Sequence, residues 1–275
     1  MAKEKKVTNG GSAIGEAIGD LLEEQVHIIF RDIEAKNHVY FLTRYGKTKS
    51  GKECKKLLLP DELGNEYNMD GVVISEEGFP LILLESKYIR YKKHNRDKAS
   101  WICNAHTAVR KRFPSIRSSV AVLAGSWSST SLAMLASYGV TYFIIPFNSI
   151  CDILSKYNVD FEWEENDYDK ALKAWNDFSQ LTDKEKKEIG QAMIDIVKED
   201  LIEYVERVLD DTVIREVRGI VIEIHSNKGE TFTYKFQKIN EAVEFLENHN
   251  TVFDESQFAS IYQLPLNKSK NKTII

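Results

Sequence analysis

The chain has 275 residues, 43% hydrophobic and 29% charged, with a net charge of −5. That balance excludes a disordered or fibrous polypeptide and suffices for one elaborated domain, or one domain with a smaller appendage. No apolar run approaches the ~20 residues that cross a bilayer, and the Met-Ala-Lys-Glu-Lys-Lys start leads into a polar stretch, so a cytoplasmic location without a membrane partner is expected.

Residues 1–11 read as a polar tail. Ser12 to Phe30 then predicts a helix with Ser12 as N-cap and with Gly15, Ala17, Leu21, Leu22 and Val26 on or near its apolar side. Residues 44–66 are rich in Lys and Gly and predict a connection. Tyr67 to Ser75 and Pro80 to Ile89 read as strands joined by a turn at Glu76-Glu77-Gly78. Within the second, Leu81-Ile82-Leu83-Leu84 leaves no face for water, as in a strand covered on both sides.

Arg96 to Phe113 has helical spacing and stops at Pro114. Ser118 to Ala124 predicts a strand, Ser129 to Tyr138 a helix closed by Gly139, and Val140 to Ile145 another strand. Helices and strands in this order predict an α/β fold, a mixed central sheet flanked by helices on both faces. The Gly125-Ser126-Trp127-Ser128-Ser129-Thr130 loop either contacts phosphate or caps the next helix through Ser128 or Ser129, capping being the simpler account. No Gly-x-Gly-x-x-Gly or Walker pattern supports nucleotide-driven chemistry.

From Asp160 to Asp169 an acidic run suggests a domain joint or a solvated helix start. Helices follow at Lys170 to Phe178 and Thr182 to Leu209, the second opened by a Thr182/Glu185 capping box. Ile220 to Ile224 and Thr231 to Phe236 flank Ser226-Asn227-Lys228-Gly229, which predicts a hairpin, and a helix is expected at 240–248. The chain is thus read as a core at 12–158, a helical and hairpin-containing region at 159–266 that serves recognition or dimerisation, and a polar tail at 267–275. Cys54, Cys103 and Cys151 are odd in number, far apart and without Cys-x-x-Cys spacing, so neither a disulfide framework nor a zinc site is suggested.

The chemistry-bearing residues sit at the strand ends. Glu85 and Lys87, two apart on a strand, point to one face, and the turn at 76–78 brings Asp70 alongside. Two carboxylates can hold a hard cation such as Mg²⁺, which polarises a phosphate and acidifies a bound water, while an amine orients that water or stabilises developing charge. Glu-x-Lys alone has little specificity, since it recurs at Glu4/Lys6, Glu34/Lys36, Glu53/Lys55 and Glu185/Lys187. Only the Glu85 copy ends an aliphatic run after a strand-borne Asp. The bland alternative is a turn-closing Asp70 with a Glu85–Lys87 ion pair on a strand.

Asn68-Met69-Asp70-Gly71-Val72-Val73-Ile74 and Leu83-Leu84-Glu85-Ser86-Lys87 resemble the PD-(D/E)XK nuclease superfamily, and within it the type II restriction endonucleases. Met69 stands where the family name has proline. The resemblance implies a restriction-endonuclease-like mixed sheet flanked by helices, Mg²⁺ as cofactor, Asp70 and Glu85 as metal ligands, Lys87 at the attacking water, and Glu16 on the first helix as a candidate third acid. It also implies a cognate DNA methyltransferase encoded nearby. The helix dipole accounts for an acid at Glu16 equally well.

From Lys87 to Arg117 ten basic residues face one acid, a local charge of +9 in a chain of −5, which leaves −14 elsewhere. Such segregation concentrates attraction for a polyanion at one place. Arg90, Lys92, Lys93, Arg96, Lys98, Arg110, Lys111 and Arg112 are therefore the expected DNA contacts, with a solvated helix face as the alternative. The expectation is a Mg²⁺-dependent endonuclease acting on double-stranded DNA, most like a type II restriction enzyme. A homodimer is expected because two strands need two cuts. The rivals are a repair or recombination nuclease on the same scaffold and a non-catalytic DNA-binding protein.

Overall fold

The computed structural model describes residues 9–44 and 57–249. The expected tail at 267–275, the end of the expected region at 159–266, most of the tail at 1–11 and residues 45–56 of the connection at 44–66 lie outside the described residues. The chain divides at Asp210/Asp211 into two compact units.

In the first unit a long helix α1 (Gly10–Lys36) is followed by β1 (Val39–Leu42), β2 (Leu57–Pro60), β3 (Glu66–Met69), β4 (Gly71–Ser75) and β5 (Pro80–Ile89). Then come α2 (Asn95–Arg112), β6 (Ser118–Gly125), α3 (Ser129–Ser137), β7 (Val140–Pro146), α4 (Phe147–Ser155), α5 (Tyr168–Ser179), α6 (Asp183–Ile194) and α7 (Lys198–Leu209). Five strands form one mixed sheet in the order β1-β4-β5-β6-β7. β1, β4 and β5 pair antiparallel, β5, β6 and β7 parallel. The mixed α/β class with helices over a central sheet is thus as the sequence predicts.

Hydrophobic period explains the layers. All eight residues of β6 are buried, as expected of a parallel strand covered on both faces. Along α1 the buried positions Ile14, Ile18, Leu22, Val26, Ile29 and Ile33 form a stripe at helical spacing. That stripe packs on Val73, Ile82, Leu84, Val120 and Val122 on one side of the sheet, together with residues of α4 to α7. Alternate residues Ala121 and Leu123 face α2 and α3 on the other side, since both parallel crossovers turn with the same hand.

The structure moves the expected boundary at 158/159. Phe178, Ile189, Met193, Leu201 and Val205 belong to the same core as Ile14 and Ile18. The acidic run is a strap, not a joint: Val159 and Phe161 are buried while Asp160 and Glu162 between and beside them are exposed. α1 starts at Gly10 with Asn9 as the cap, its side chain accepting from the Ser12 amide, so Ser12 lies inside the helix. The predicted strand at 67–75 breaks at Asp70, where β3 leaves to pair with β2. The predicted helix at 182–209 breaks after Ile194, and Val197 stays buried through the turn. β1 and α4 are unpredicted, although Val39-Tyr40-Phe41-Leu42 is a β-prone run and the buried Ile150, Cys151, Ile153 and Leu154 share one helix face.

The Thr182/Glu185 capping box forms as the sequence predicts, and Ser128 caps α3 by accepting from the Ser131 amide. In the second unit β8 (Ile220–His225) and β9 (Thr231–Phe236) make the predicted antiparallel hairpin. α8 (Ile239–Asn248) packs Phe245 against Tyr234 and Phe236, with centroids 4.4 and 5.2 Å apart. Among the described residues no helix is long and apolar enough to cross a membrane.

Candidate active site

β4 pairs with β5 only as far as Gly71↔Leu84, so among the described residues the last five of β5 have no strand on that side. Asp70 takes the vacated position. Its Oδ2 accepts from the Ser86 amide at 2.8 Å, from Ser86 Oγ at 3.3 Å and from Lys87 Nζ at 3.1 Å. The side chain thus continues the sheet's hydrogen bonding where the strand has gone.

Glu85 and Lys87 share the phase of Leu83 and point to the side that carries α2. The Glu85 side chain is 1% exposed, and its Oε1 lies 2.7 Å from Lys87 Nζ. The contact is an ion pair by distance but not aligned as a hydrogen bond, and Oε2 has no hydrogen-bond partner. Burial, reinforced by the charge of Asp70 and opposed by Lys87, pushes the Glu85 carboxyl up to about 8. Burial works to lower the Lys87 pKa, but Glu85 and Asp70 outweigh it and leave the ammonium raised. An acid that is expensive to ionise, an orphaned carboxylate oxygen and a cation seated between two carboxylates are what a divalent cation would relieve. Among the described residues no three His, Cys, Asp or Glu side chains converge as a ready cage. Mg²⁺ does not require one, because one or two carboxylates with waters and phosphate oxygens complete its shell.

The helix acid facing this site is Glu23, not Glu16. Glu16 is exposed, and its field reaches Asp20. Seven residues further on, two turns along the same face, burial raises the Glu23 pKa, with Asp70 adding to the shift and Lys87 opposing it. One turn beyond, burial lowers the His27 pKa, and Asp70 opposes that shift. Counting back from Phe30 in steps of three and four would have selected Glu23 and His27 beside each other, but nothing in the sequence says which turn of α1 meets β5.

The basic stretch divides. Lys92, Arg96, Lys98 and Lys111 are exposed, with no ion pair or hydrogen bond from their side chains among the described residues. Arg110 reaches the Gly139 carbonyl at 3.5 Å and Arg112 the Asp61 carbonyl at 3.0 Å. Lys93 pairs with Glu165. Arg90 is a correction to the expected DNA contacts: it donates to the carbonyls of Phe161 and Trp163 at 3.0 and 3.2 Å, and its guanidinium lies 3.5 Å from the Trp163 ring centroid. It pins the strap to the end of β5. Gly125 makes this end possible, because at φ +98° a Cβ would sit 2.0 Å from the Ile89 carbonyl oxygen.

No family model and no curated protein matches the chain. A solved structure described as a protein of unknown function, AF1548, aligns with 68% of this chain and 98% of its own at 13% identity, with a TM-score of 0.31. Likeness at that level carries no argument about fold or function.

Proposed function

We propose that the protein is a Mg²⁺-dependent endonuclease of restriction-endonuclease-like fold that hydrolyses double-stranded DNA, with Asp70, Glu85 and Lys87 as its reacting groups. The observation that carries the reading is the meeting of Asp70 Oδ2 and Glu85 Oε1 at the Lys87 ammonium, 3.1 and 2.7 Å away, where a core strand loses its neighbour. Asp70 and Glu85 would hold the cation, and Glu23 would complete its outer ligands. Bound Mg²⁺ supplies polarisation of the scissile phosphate and a more acidic water. Ser86 fixes Asp70 through the backbone, so that carboxylate is oriented before substrate arrives. Lys87, beside both carboxylates, would orient the attacking water or face developing negative charge. The exposed Lys92, Arg96 and Lys111 supply phosphate contacts, and a homodimer would cut both strands.

A second reading rests on the same distances. Lys87 bridging both carboxylates is also what a structural ion cluster in a non-catalytic DNA-binding protein would look like. Incubation of plasmid DNA with the protein and Mg²⁺ separates them. Discrete linear fragments, absent in EDTA and absent with Glu85→Gln, are expected. Intact plasmid at every Mg²⁺ concentration overturns the nuclease reading.

A further inference from the structure

On the opposite face of β5, one residue beyond Lys87, lies a crevice of ≈ 530 Å³ between the first turns of α1, the end of β5 and the strap. That volume is in the range of small-ligand pockets, ~300–1,000 Å³. Its walls carry four aromatic residues, Tyr88, Tyr91, Trp163 and Tyr168, and two cations, Arg90 and Lys98. The acid on its rim, Glu165, is already neutralised by Lys93.

The walls are stiff where a ligand would lie and open where it would enter. Tyr88 is held between α1 and β6, where a Cβ at Gly15 would stand 3.5 Å from its ring and one at Gly125 3.2 Å. Trp163 is fixed by Arg90 and by an edge contact with Phe161 at 5.2 Å. Tyr168, by contrast, is 69% exposed. The Tyr88 hydroxyl and Arg90 Nε are buried behind the crevice wall, and the Arg90 side chain acts on that hydroxyl, so the wall is held from within. The exposed ammonium of Lys98 at the crevice is placed to meet a ligand's negative charge. The positive end of α1 points the same way.

We propose that this crevice binds a nucleotide, its base against the aromatic wall and its phosphate toward Lys98 and the start of α1. Aromatic side chains stack any base, and a cation beside them takes the phosphate. The nucleotide is either a free mononucleotide or the terminal nucleotide of a DNA strand. Ser12 at the crevice and Glu23 at the metal site are eleven residues apart on α1, about 16 Å at 1.5 Å per residue.

The test is a titration of the full-length protein in EDTA, read by calorimetry and tryptophan fluorescence, so that it does not depend on cleavage. The probes are adenosine 5′-monophosphate, adenosine, inorganic phosphate and a short 5′-phosphorylated oligonucleotide. Saturable binding of the monophosphate or the oligonucleotide below ~1 mM, at least tenfold tighter than adenosine or phosphate, is expected. Tyr168→Ala should weaken it roughly tenfold, within the range for loss of one stacking surface, and Lys98→Ala comparably. Both residues are exposed, so both variants should fold, and Ser12→Trp should block the crevice without altering its charges. Preference for the monophosphate indicates a free ligand, preference for the oligonucleotide a strand end. No saturable binding of either, affinity indifferent to all three variants, or phosphate or adenosine alone binding as tightly as the monophosphate overturns the proposal. Loss of the nuclease reading would show as failed Mg²⁺-dependent cleavage with this titration unchanged.

Discussion

The Ser86 amide donates to Asp70 Oδ2 over 2.8 Å at the point where β4 has already left β5. Asp70 is therefore seated by the backbone of the strand that carries Glu85 and Lys87, and does not depend on the lysine for its position. Removing Lys87 should leave the site assembled. Without its ammonium the Glu85 carboxyl is pushed still higher and stays protonated at pH 7, while Asp70 keeps the bonds from the Ser86 amide and hydroxyl. Lys87→Met is expected to keep a melting temperature near that of the wild type while cleavage falls by about 10²–10³, the scale for loss of one group that stabilises transition-state charge. Asp70→Asn and Glu85→Gln should each abolish cutting, and together cost no more than either alone. Near-normal turnover in Lys87→Met would reduce the lysine to a counter-ion.

The phase of α1 makes a second prediction. Glu23 feels both Asp70 and Lys87, whereas Glu16 is exposed two turns away. Glu23→Gln should raise the Mg²⁺ concentration needed for half-maximal cleavage by tenfold or more, in line with the ~10–100-fold effects of outer partners at metal sites. Glu16→Gln should leave it unchanged. Equal effects of the two substitutions would mean that the helix acid acts only through the general field.

Two buried groups set opposite pH dependences of stability. Burial, aided by Arg110 and Lys87, lowers His106 from 6.5 to about 3, so the unfolded chain takes up a proton first and stability falls as pH drops below 6.5. Glu85 goes the other way: with its folded value raised from 4.5 to about 8, the folded state holds the proton longer, and stability falls as pH rises from 4.5 to about 8. Between 4.5 and 6.5 the two slopes offset each other. A tenfold change in proton affinity on folding is worth ~1.36 kcal/mol, so either limb is bounded at roughly 4–5 kcal/mol. In metal-free urea denaturation, Glu85→Gln should flatten the alkaline limb and His106→Phe the acid limb. An unchanged alkaline limb in Glu85→Gln would remove the carboxyl as its cause.

Salt dependence separates the basic residues that meet DNA from those that hold the fold. Neutralising Arg96 and Lys111 should flatten the slope of log affinity against log salt by about 0.9 for each duplex phosphate that the protein no longer neutralises. Arg90→Met should leave that slope alone, because its guanidinium is occupied by the carbonyls of Phe161 and Trp163. It should instead destabilise the protein by about 2–4 kcal/mol, since the charged hydrogen bonds and the cation–π interaction with Trp163 both disappear. A slope change in Arg90→Met with unaltered stability would return Arg90 to the DNA-binding face.

The strands β5, β6 and β7 and the helices between were legible because long apolar runs and helical spacing are local signals. The same holds for Asp70, Glu85 and Lys87, whose meeting follows from strand period and one short turn. Glu23 and His27 were not, since their place depends on how α1 lies along β5, a contact between residues some sixty positions apart. Arg90 shows the same limit. A basic residue beside Lys92 and Lys93 looks like part of a charged face until a strap seventy residues later surrounds it with carbonyls and aromatic rings. Charge in a sequence gives no sign of whether a carbonyl or a phosphate will receive it.

At the proposed metal site binding and cutting should come apart. Asp70 and Glu85 lie where a scissile phosphate would approach, and ionised carboxylates without a cation repel it. Mg²⁺ or Ca²⁺ should therefore tighten DNA binding by the wild type, and Ca²⁺, larger and looser in coordination, should support binding with little or no cleavage. Glu85→Gln keeps the shape of the side chain and removes the ionisable oxygen, so it should bind DNA in EDTA at least as well as the wild type and fail to cut in Mg²⁺. The repulsion that it removes is pH-dependent, because the Glu85 carboxyl holds its proton up to about 8. In EDTA, wild-type affinity should accordingly decline between about pH 7 and 9 while that of Glu85→Gln holds steady across the same range. Gel-shift titrations of both proteins in EDTA, Ca²⁺ and Mg²⁺ at the two pH values decide the matter. Wild-type binding indifferent to cation and pH would leave Glu85 and Lys87 as an ion pair within the sheet.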